Sequence, residues 1–422
     1  MKILTSAAEA VAKIESHQHV FIHSVACSPQ KLIKALVERS SSLKSVHIYQ
    51  IHTEFECPYA KPEYAEAFKL HSFFNGHNIR DAKKNINASY VPIFLSEIPL
   101  LFYNKKVELD WALIQVSPPD QHGMVSLGPS VDVSIAAVRT AKKIIAQINP
   151  QIPRTFGDSQ IPLDKIDYAI ECNESIFEVN PPLLSEVELK IGEQIASLIE
   201  DGSTLQMGIG AIPNAVLGCL TNHKDLGIHT EMFSDGIIDL HEKKVITGKY
   251  KTKHAGKIVS SFVMGTKKVY EFINDNPAVF LLDAAYTNSA HIISQNPKVV
   301  AINSAIEVDL TGQVCADSIG SRIYSGVGGQ MDFMRGAALS KGGKPIIALP
   351  SQTKKGVSKI AAFLKPGSGV VTTRAHAHYV VTEHGVAYLH GKTLEERAAS
   401  LVRIAAPEHQ EALEKAAFEL FN

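Results

Sequence analysis

One carboxylate stands at a place where it could do chemistry. Residues 229–240 read HTEMFSDGIIDL, and Glu231 lies between Thr230 and Met232, where an apolar, strand-like run meets a turn. An acid at such a place is most often a surface residue or a helix cap. It acts as a covalent nucleophile only if it is ionised, held in position and faced by donors that stabilise an oxyanion. Position alone leaves both interpretations open.

A glycine-containing loop precedes this acid in the chain. Residues 208–216 read GIGAIPNAV, and Pro213 occupies the position where a dinucleotide fingerprint requires its third glycine, so we exclude a nicotinamide site. Proline suits the first turn of a helix, and glycines let the backbone approach a ligand closely. The loop can therefore hold a phosphate or carboxylate at a helix N-terminus. The alternative is a plain strand-to-helix turn.

A second loop of small residues follows later in the chain. Residues 325–333 read SGVGGQMDF, and Gly326, Gly328 and Gly329 can expose backbone N–H groups of the kind that form an oxyanion hole. A surface turn is the alternative. His376 and His378 share one face of a predicted strand, but no carboxylate or cysteine completes a ligand set nearby, so we predict no metal site. The sequence also has no G-x-S-x-G elbow and no P-loop.

The elements that must position these residues alternate between strand and helix. Short, continuous apolar runs occur at residues 19–23, 278–283, 299–304 and 345–350, and the first is followed by a helical pattern at 29–39. Runs of this kind are typical of strands that are buried on both faces of a parallel sheet. The alternation predicts an α/β layered fold with mostly parallel sheets.

Two pairs of segments indicate an internal duplication. Residues 20–36 and 204–220 both read as strand, small-residue loop, proline and helix, and residues 120–128 and 309–317 share the pattern D-x-x-G-x-V at nearly the same offset. Pro181 and Pro182 lie in a linker-like stretch between the halves. We therefore predict two related domains, at residues 1–180 and 181–422.

Composition limits the class of protein. The chain has 422 residues and a net charge of -1, so we expect no nucleic-acid or membrane partner. We interpret one basic run as solvated surface: Lys251, Lys253, His254, Lys257, Lys267 and Lys268. Five scattered cysteines without a CxxC pair favour a reducing compartment. We find no signal peptide and no apolar run long enough for a membrane span, so we expect a cytoplasmic protein.

Five ordered stretches together resemble a known family. Residues 208–216, 227–240, 303–318, 325–333 and 376–398 resemble the acetyl-CoA hydrolase/transferase family, a branch of the family I CoA-transferases, and most of all its 4-hydroxybutyrate CoA-transferase group. The resemblance implies two similar CoA-transferase-like α/β domains with the active site between them. It also implies a homodimer or higher homo-oligomer that uses coenzyme A and acyl-CoA as substrate and needs no metal.

The same resemblance implies roles for particular residues. Glu231 occupies the catalytic glutamate position, where the carboxylate forms a glutamyl-CoA thioester in a ping-pong reaction. Gln206 is expected to bind the reacting acyl group. The loop of domain one that echoes the CoA loop, His23, Ser24 and Val25, is expected to face the acyl or acceptor carboxylate. The residues expected to contact CoA are Gly208, Ile209, Gly210, Ala211, Ile212, Ile306, Gly328, Gly329, Thr353, Lys354 and His376.

Several activities remain open from the sequence. The leading hypothesis is transfer of CoA from an acyl-CoA such as acetyl-CoA to a short-chain carboxylate, with 4-hydroxybutyrate or butyrate as the acceptor. The alternatives are an acyl-CoA hydrolase, in which water intercepts the same intermediate, and a transferase for a dicarboxylate such as itaconate or succinate. A non-catalytic CoA-binding protein would form no covalent adduct.

Overall fold

The chain forms two compact units. The structure, a computed structural model, describes residues 1–80, 86–208 and 210–421. Unit 1 comprises Met1–Val179 and Val259–Thr287, and unit 2 comprises Asn180–Ile258 and Asn288–Asn422. The sequence-based division at residue 180 assigned Val259–Thr287 to the second domain, whereas these residues belong to unit 1.

The elements are given in chain order. The first part of unit 1 contains β1 (Lys2–Ile3), α1 (Ala7–Val11), β2 (His19–Ile22), α2 (Gln30–Glu38), β3 (Val46–Gln50), β4 (Phe68–Ser72), β5 (Ala88–Tyr90), α3 (Ile98–Tyr103), β6 (Trp111–Val116), β7 (Met124–Ser126), α4 (Ser134–Thr140), β8 (Lys143–Ile148), β9 (Phe156–Gly157), β10 (Gln160–Pro162) and β11 (Tyr168–Glu171). Next come α5 (Glu186–Ala196), β12 (Thr204–Met207), α6 (Ala211–Cys219), β13 (Gly227–Ile228), β14 (Met232–Phe233) and α7 (Gly236–Glu242) of unit 2.

The chain then completes unit 1 before it returns to unit 2. Its next elements are β15 (Ile258–Ser260), β16 (Phe262–Val263), α8 (Lys267–Ile273), β17 (Val279–Leu281) and α9 (Ala284–Thr287). The last elements are α10 (Ala290–Ser294), β18 (Val299–Ser304), β19 (Glu307–Asp309), β20 (Val314–Cys315), β21 (Ser318–Ile319), β22 (Arg322–Ile323), α11 (Gln330–Leu339), β23 (Lys344–Ala348), β24 (Ile360–Ala361), β25 (Tyr379–Thr382), β26 (Gly385–Tyr388), α12 (Leu394–Val402) and α13 (Pro407–Phe421).

Parallel pairing explains why the segment Val259–Thr287 belongs to unit 1. Strand β17 pairs with β9, with Phe280 opposite Phe156 and Leu281 opposite Gly157. Gly157 has a φ of 96°, and a Cβ at this position would lie 2.4 Å from the carbonyl oxygen of Leu281. The two backbones therefore approach more closely than any side chain would allow.

Each unit is built on a parallel sheet. In unit 1, eight of the described strands follow the order β1-β11-β8-β6-β2-β3-β4-β5, and every neighbouring pair is parallel. In unit 2, six described strands follow the order β13-β12-β18-β23-β25-β26, and only the last pair is antiparallel. All six residues of β6 are buried, as a strand covered on both faces requires. The predicted α/β fold with mostly parallel sheets is confirmed.

The two sheets repeat one strand order. The succession β11-β8-β6-β2-β3 in unit 1 corresponds to β25-β23-β18-β12-β13 in unit 2. The D-x-x-G-x-V segments at residues 120–128 and 309–317 also form the same turn. Asp120 Oδ1 accepts hydrogen bonds from the amides of residues 122 and 124, and Asp309 Oδ1 accepts them from the amides of residues 311 and 313. This agreement supports the predicted duplication.

The folded units also reveal a repeat that sequence reasoning missed. The tetrapeptide IHTE occurs at residues 51–54 and again at residues 228–231. The first copy follows β3, and the second begins on β13, the strand that corresponds to β3. Glu54 in unit 1 is therefore the positional counterpart of Glu231 in unit 2.

Candidate active site

Glu231 lies where β13 ends, and its backbone is fixed by the residue before it. Buried Thr230 places its Oγ1 2.9 Å from the carbonyl oxygens of both Met207 and Met232, and the amide of Met207 donates to the same Oγ1 at 3.2 Å. One hydroxyl thus joins the end of β12 to both sides of Glu231. The carboxylate projects from a rigid part of the sheet and not from a free loop.

Asn288 binds the Glu231 carboxylate. Its Nδ2 donates to Glu231 Oε2 at 3.0 Å, and Asp332 Oδ2 lies 3.4 Å from the same nitrogen. Because two carboxylates face this end of the amide, the amide must present its nitrogen to them and its oxygen away from them. Asn288 therefore fixes the position of one oxygen of Glu231.

Gly329 forms the surface against which the carboxylate lies. A Cβ at Gly329 would lie 1.9 Å from Glu231 Oε2 and 2.2 Å from Asn288 Nδ2, so only glycine leaves room for this arrangement. Gly329 is the N-cap residue of the ten-residue helix α11. A negative charge at a helix N-terminus is stabilised by the helix dipole. The Glu231 carboxylate thus lies against the end of a helix that accommodates negative charge.

Close helix packing brings these residues together. Helices α10 and α11 contact each other at Gly336, where a Cβ would lie 2.5 Å from Ile293. This contact places Asn288, just before α10, beside Gly329, just before α11. Within the described part of the chain, Asn288 Oδ1 and Gln330 Oε1 are buried acceptors without a hydrogen-bond partner. Buried acceptors of this kind are ordinarily paired with a protein group or an ordered water.

The first glycine loop adjoins the same segment. Gly208 and Thr230 line one small, mostly apolar pocket with Met207, Met232 and Phe233. A Cβ at Gly208 or Gly210 would meet no heavy atom within 4 Å, so the loop borders open space. Gly210 has a φ of 130° and precedes Ala211 and Ile212, which begin α6. Ile209 lies outside the described residues. CoA binding by this loop stays a prediction.

Gln206 in unit 2 and the echoed loop in unit 1 are both buried. Gln206 is buried on β12, and its Oε1 accepts from Asn303 Nδ2 at 3.0 Å. His23 and Ser24 are fully buried, and Ser24 Oγ donates to Asp132 Oδ2 at 2.6 Å. Val25, also fully buried, has a φ of 55° and donates its amide to the carbonyl of residue 52 at 2.9 Å. Their contacts with substrate stay predictions.

The protonation state of His23 follows from its two partners. The amide of Gln115 donates to Nδ1 at 3.1 Å, so Nε2 carries the proton and donates to the carbonyl of Ser130 at 2.7 Å. Burial lowers the pKa of His23, which keeps the ring neutral. Both ring nitrogens are therefore engaged within unit 1.

The remaining predicted CoA residues lie elsewhere in unit 2. Thr353 and Lys354 are exposed in a turn that the amide of Thr353 closes by donating to the carbonyl of Val357 at 2.8 Å. Ile306 is half-buried, and its amide donates to Cys315. His376 Nδ1 lies 2.8 Å from Thr373 Oγ1, and burial followed by the charge of Arg335 lowers the pKa of His376. Gly328, next to Gly329, has a φ of 57°. Roles in CoA binding stay predictions for all five residues.

Comparison with known proteins identifies the family. The model of the acetyl-CoA hydrolase/transferase N-terminal domain matches residues 1–181, and that of the C-terminal domain matches residues 265–417. The chain belongs to the acetyl-CoA hydrolase/transferase family. The resemblance predicted from the motifs is confirmed, and so is the prediction of an enzyme of the CoA-transferase class.

Individual members of this family are similar over nearly the whole chain. A succinyl-CoA:acetate/propanoyl-CoA:succinate CoA transferase of Fasciola hepatica is 55% identical over 95% of this chain and 84% of its own length. A 4-hydroxybutyrate coenzyme A transferase of Clostridium kluyveri is 48% identical over 97% of this chain and 96% of its own length. The crystal structure of a 4-hydroxybutyrate CoA-transferase from Porphyromonas gingivalis has 37% identity and a TM-score of 0.87, covering 100% of this chain and 98% of that chain.

Two further observations concern metals and membranes. Among residues 1–80, 86–208 and 210–421, no group of three or more histidines, cysteines or acidic residues is arranged to hold a metal ion. In the same described ranges, no helix has the length and apolar character needed to cross a membrane.

Sequence reasoning missed three residues that lie beside Glu231 or beside the strand that precedes it. Asn288 carried no motif that marked it, and Asp332 lay unnoticed inside the glycine stretch 325–333. Lys251 was interpreted as solvated surface, but its side chain is only 4% exposed, so that interpretation is wrong for this residue. A lysine close to the interior is exceptional unless its amine has partners.

Proposed function

We propose that the chain transfers CoA from an acyl-CoA to a short-chain carboxylate through a covalent intermediate on Glu231. The observation that carries this proposal is the position of the Glu231 carboxylate, which Asn288 holds against Gly329 at the N-terminus of α11. A carboxylate that is ionised and fixed in this way can attack a thioester carbonyl.

The steps balance without a cofactor. A Glu231 oxygen attacks the acyl carbon, the C–S bond breaks, and CoA leaves as the thiolate, which gives a mixed anhydride of Glu231 and the donor acid. The thiolate attacks the glutamyl carbonyl carbon, and the donor acid leaves with the bridging oxygen, which gives a glutamyl-CoA thioester. The acceptor carboxylate then attacks this thioester, and the reverse sequence restores Glu231 and yields the new acyl-CoA. No water enters, so the thioester energy is retained.

The surroundings of Glu231 suit these steps. Asn288 Nδ2 donates to the carboxylate oxygen before reaction and can follow that oxygen as charge moves through the anhydride. The glycine loop that begins α6 borders open space, which leaves room for the pantetheine arm of CoA near the Glu231 segment. Binding of this arm would direct the thioester toward Glu231.

Two groups of acceptor are candidates. We propose 4-hydroxybutyrate or butyrate, with acetyl-CoA as donor, in agreement with the motifs and the relative that is 48% identical. The second candidate is the exchange of CoA among succinate, acetate and propanoate, favoured by the relative that is 55% identical. A panel of acceptors at equal concentration, with the products resolved by mass, ranks the two groups directly.

The nucleophile is tested with a matched pair of variants. Glu231→Gln and Glu54→Gln each alter the acid of one IHTE copy, at corresponding strand ends. Parent and variants are mixed with acetyl-CoA without acceptor, and the adduct is located by intact mass and peptide mapping. We expect a CoA adduct on the peptide with Glu231 in the parent and in Glu54→Gln, and none in Glu231→Gln.

Other outcomes contradict particular parts of the proposal. An adduct in Glu231→Gln at the parental level would exclude Glu231 as the nucleophile. Acetyl-CoA consumption by the parent, at one rate with and without acceptor, would identify an acyl-CoA hydrolase instead. A protein that binds CoA but neither forms an adduct nor consumes acyl-CoA would be a binding protein only.

We also propose that the enzyme works in the cytoplasm as a homodimer or higher homo-oligomer. All five cysteines are free thiols, which suits a reducing compartment. Light scattering after size-exclusion chromatography tests the oligomeric state, and a monomer at micromolar concentration would contradict it.

A further inference from the structure

Strand β13, which leads to Glu231, is the edge strand of the unit 2 sheet. The amide of Gly227 donates to Ser203 at 2.9 Å and that of His229 donates to Leu205 at 3.1 Å, so these two residues face β12. Ile228 lies between them and must direct its carbonyl away from β12, toward the open edge. An edge carbonyl that is buried needs a donor from elsewhere.

The corresponding carbonyl in unit 1 has an ordinary backbone partner. Ile51 occupies the same position in its IHTE copy, and its carbonyl accepts from the amide of Phe74 at 3.1 Å. Phe74 follows β4, the strand that pairs with β3 on its outer side. In unit 1 a neighbouring strand therefore holds the backbone just before the acid.

Unit 2 begins the same pairing but does not continue it. Leu226 donates its amide to the carbonyl of Val245 at 2.8 Å and accepts from the amide of Thr247 at 3.0 Å, as in a parallel ladder. The chain then turns at Gly248, whose φ is 65°. Beyond this turn, the side chain of Lys251 supplies the next hydrogen bond to β13. Its Nζ donates to the carbonyl of Ile228 at 2.7 Å and to that of Lys257 at 2.7 Å.

The lysine is built into the interior and does not lie on the surface. Its side chain is 4% exposed, and its stem lies so close to Gly227 that a Cβ there would be 2.7 Å from Lys251 Cγ. Burial lowers the pKa of Lys251 to about 7. The neutral amine still has two N–H groups, enough for both carbonyls, so either charge state keeps the two hydrogen bonds.

Hydrogen bonds of Asn296 provide a second link between the segment around Lys251 and the end of β13. Asn296 Oδ1 accepts from the amides of Thr252 at 3.2 Å and Lys253 at 3.1 Å, and its Nδ2 lies 3.4 Å from His229 Nδ1. The two attachments join residues 251–253 to residues 228 and 229, directly before Thr230 and Glu231. A change at Lys251 therefore reaches the nucleophile through only a few bonds of backbone.

We propose that Lys251 is a positioning residue for Glu231, whose side-chain amine replaces the missing neighbouring strand and fixes the backbone that carries the nucleophile. The inference rests on the proposed function of Glu231. It assigns no contact between Lys251 and the substrate.

The test uses Lys251→Met, which keeps the length and apolar stem but removes the donors. The protein is mixed rapidly with saturating acetyl-CoA and quenched, and the Glu231 adduct is quantified by mass over time. The amplitude reports the fraction of competent sites, and the rate constant reports how well Glu231 is placed. Because a misplacement of about 1 Å costs about a hundredfold in rate, we expect the rate constant to fall by about ten- to a hundredfold at full amplitude.

Lys344→Met is the matched control. Lys344 Nζ also donates at 2.7 Å to a backbone carbonyl, that of Leu198, and at 2.7 Å to Glu200 Oε1, on another strand of the same sheet. We expect the parental rate constant from this variant. A parental rate constant in Lys251→Met would overturn the inference, and so would a reduced amplitude with the parental rate constant, which indicates a purely structural role.

A second variant decides the question if Lys251→Met does not fold. Gly227→Ala keeps the amine but displaces the lysine stem, since the added Cβ would lie 2.7 Å from Cγ and 2.8 Å from Cδ. The same fall in rate constant supports the inference, and the parental value overturns it. If the parent itself forms no adduct on Glu231, the proposed function fails and this inference fails with it.

Discussion

Replacing Gly329 by alanine is the sharpest test of the active-site geometry. The added Cβ would lie 1.9 Å from Glu231 Oε2 and 2.2 Å from Asn288 Nδ2. Non-bonded carbon contacts are comfortable at roughly 3.5 Å, so the carboxylate must move by about 1.5 Å. A displacement of about 1 Å in a reacting group costs about a hundredfold in rate. We therefore expect Gly329→Ala to slow glutamyl-CoA formation by at least about a hundredfold.

The fold should survive this substitution. Gly329 has φ -97° and ψ 8°, a conformation open to alanine, so no backbone strain is introduced. The atoms that clash are the ends of flexible side chains and can rotate away. Alanine is a somewhat poorer N-cap than glycine, and we expect the free energy of unfolding to fall by only about 1 kcal/mol.

The assay combines rapid-quench adduct formation with urea denaturation. Gly218→Ala is the control, because Gly218 lies in α6 and an added Cβ meets no heavy atom within 4 Å. We expect this control to keep the parental rate and to gain roughly 0.5–1 kcal/mol of stability. A Gly329→Ala enzyme that forms the adduct at the parental rate would refute the placement of Glu231 against α11.

Asn288→Ala and Asn288→Asp test the contact with Glu231, and His23→Asn tests a buried histidine of unit 1. Asn288→Ala removes a hydrogen bond to a charged group, worth about 1.5–3 kcal/mol, so adduct formation should slow by about ten- to a hundredfold. Asn288→Asp should be slower still, because it places a third carboxylate beside those of Glu231 and Asp332 and repels them, and equal rates for the two variants would contradict this. Burial lowers the pKa of His23 in the folded state only, so the unfolded chain binds more protons below about pH 6.5. Stability should therefore fall with decreasing pH by up to about 1.4 kcal/mol per unit, and urea titrations of His23→Asn should have a shallower slope; parallel slopes would contradict the neutral state.

The fold could be predicted because the buried strands are local signals. The apolar runs at 299–304 and 345–350 overlap β18 (Val299–Ser304) and β23 (Lys344–Ala348) almost residue for residue. Such runs are continuous because both faces of a parallel sheet are covered. The return of Val259–Thr287 to unit 1 was not predictable, since it depends on a pairing between distant strands, β17 and β9.

In the proposed site, only contacts between residues that lie in recognisable motifs could be predicted. Glu231 and Gly329 could be named from motifs, and the structure brings them into contact. Asn288 could not be found in this way, because its importance arises from the packing of α10 on α11. Lys251 was wrongly interpreted as surface because its burial depends on the carbonyl of Ile228, to which it donates. A run of basic residues in the sequence does not indicate such a partner.

The two IHTE copies show that local sequence does not decide what a glutamate contacts. In unit 1, burial alone would raise the pKa of Glu54, but the hydrogen bond from His52 Nε2, at 3.1 Å, and the charges of His52 and His77 together outweigh it and lower that pKa. The carboxylate is thereby committed to a neighbouring side chain, and a regular strand supports its backbone. In unit 2 the same four residues meet an amide, a helix N-terminus and a buried lysine. These partners fix the backbone and the carboxylate of Glu231, so the difference between the two glutamates is set by contacts with distant parts of the chain.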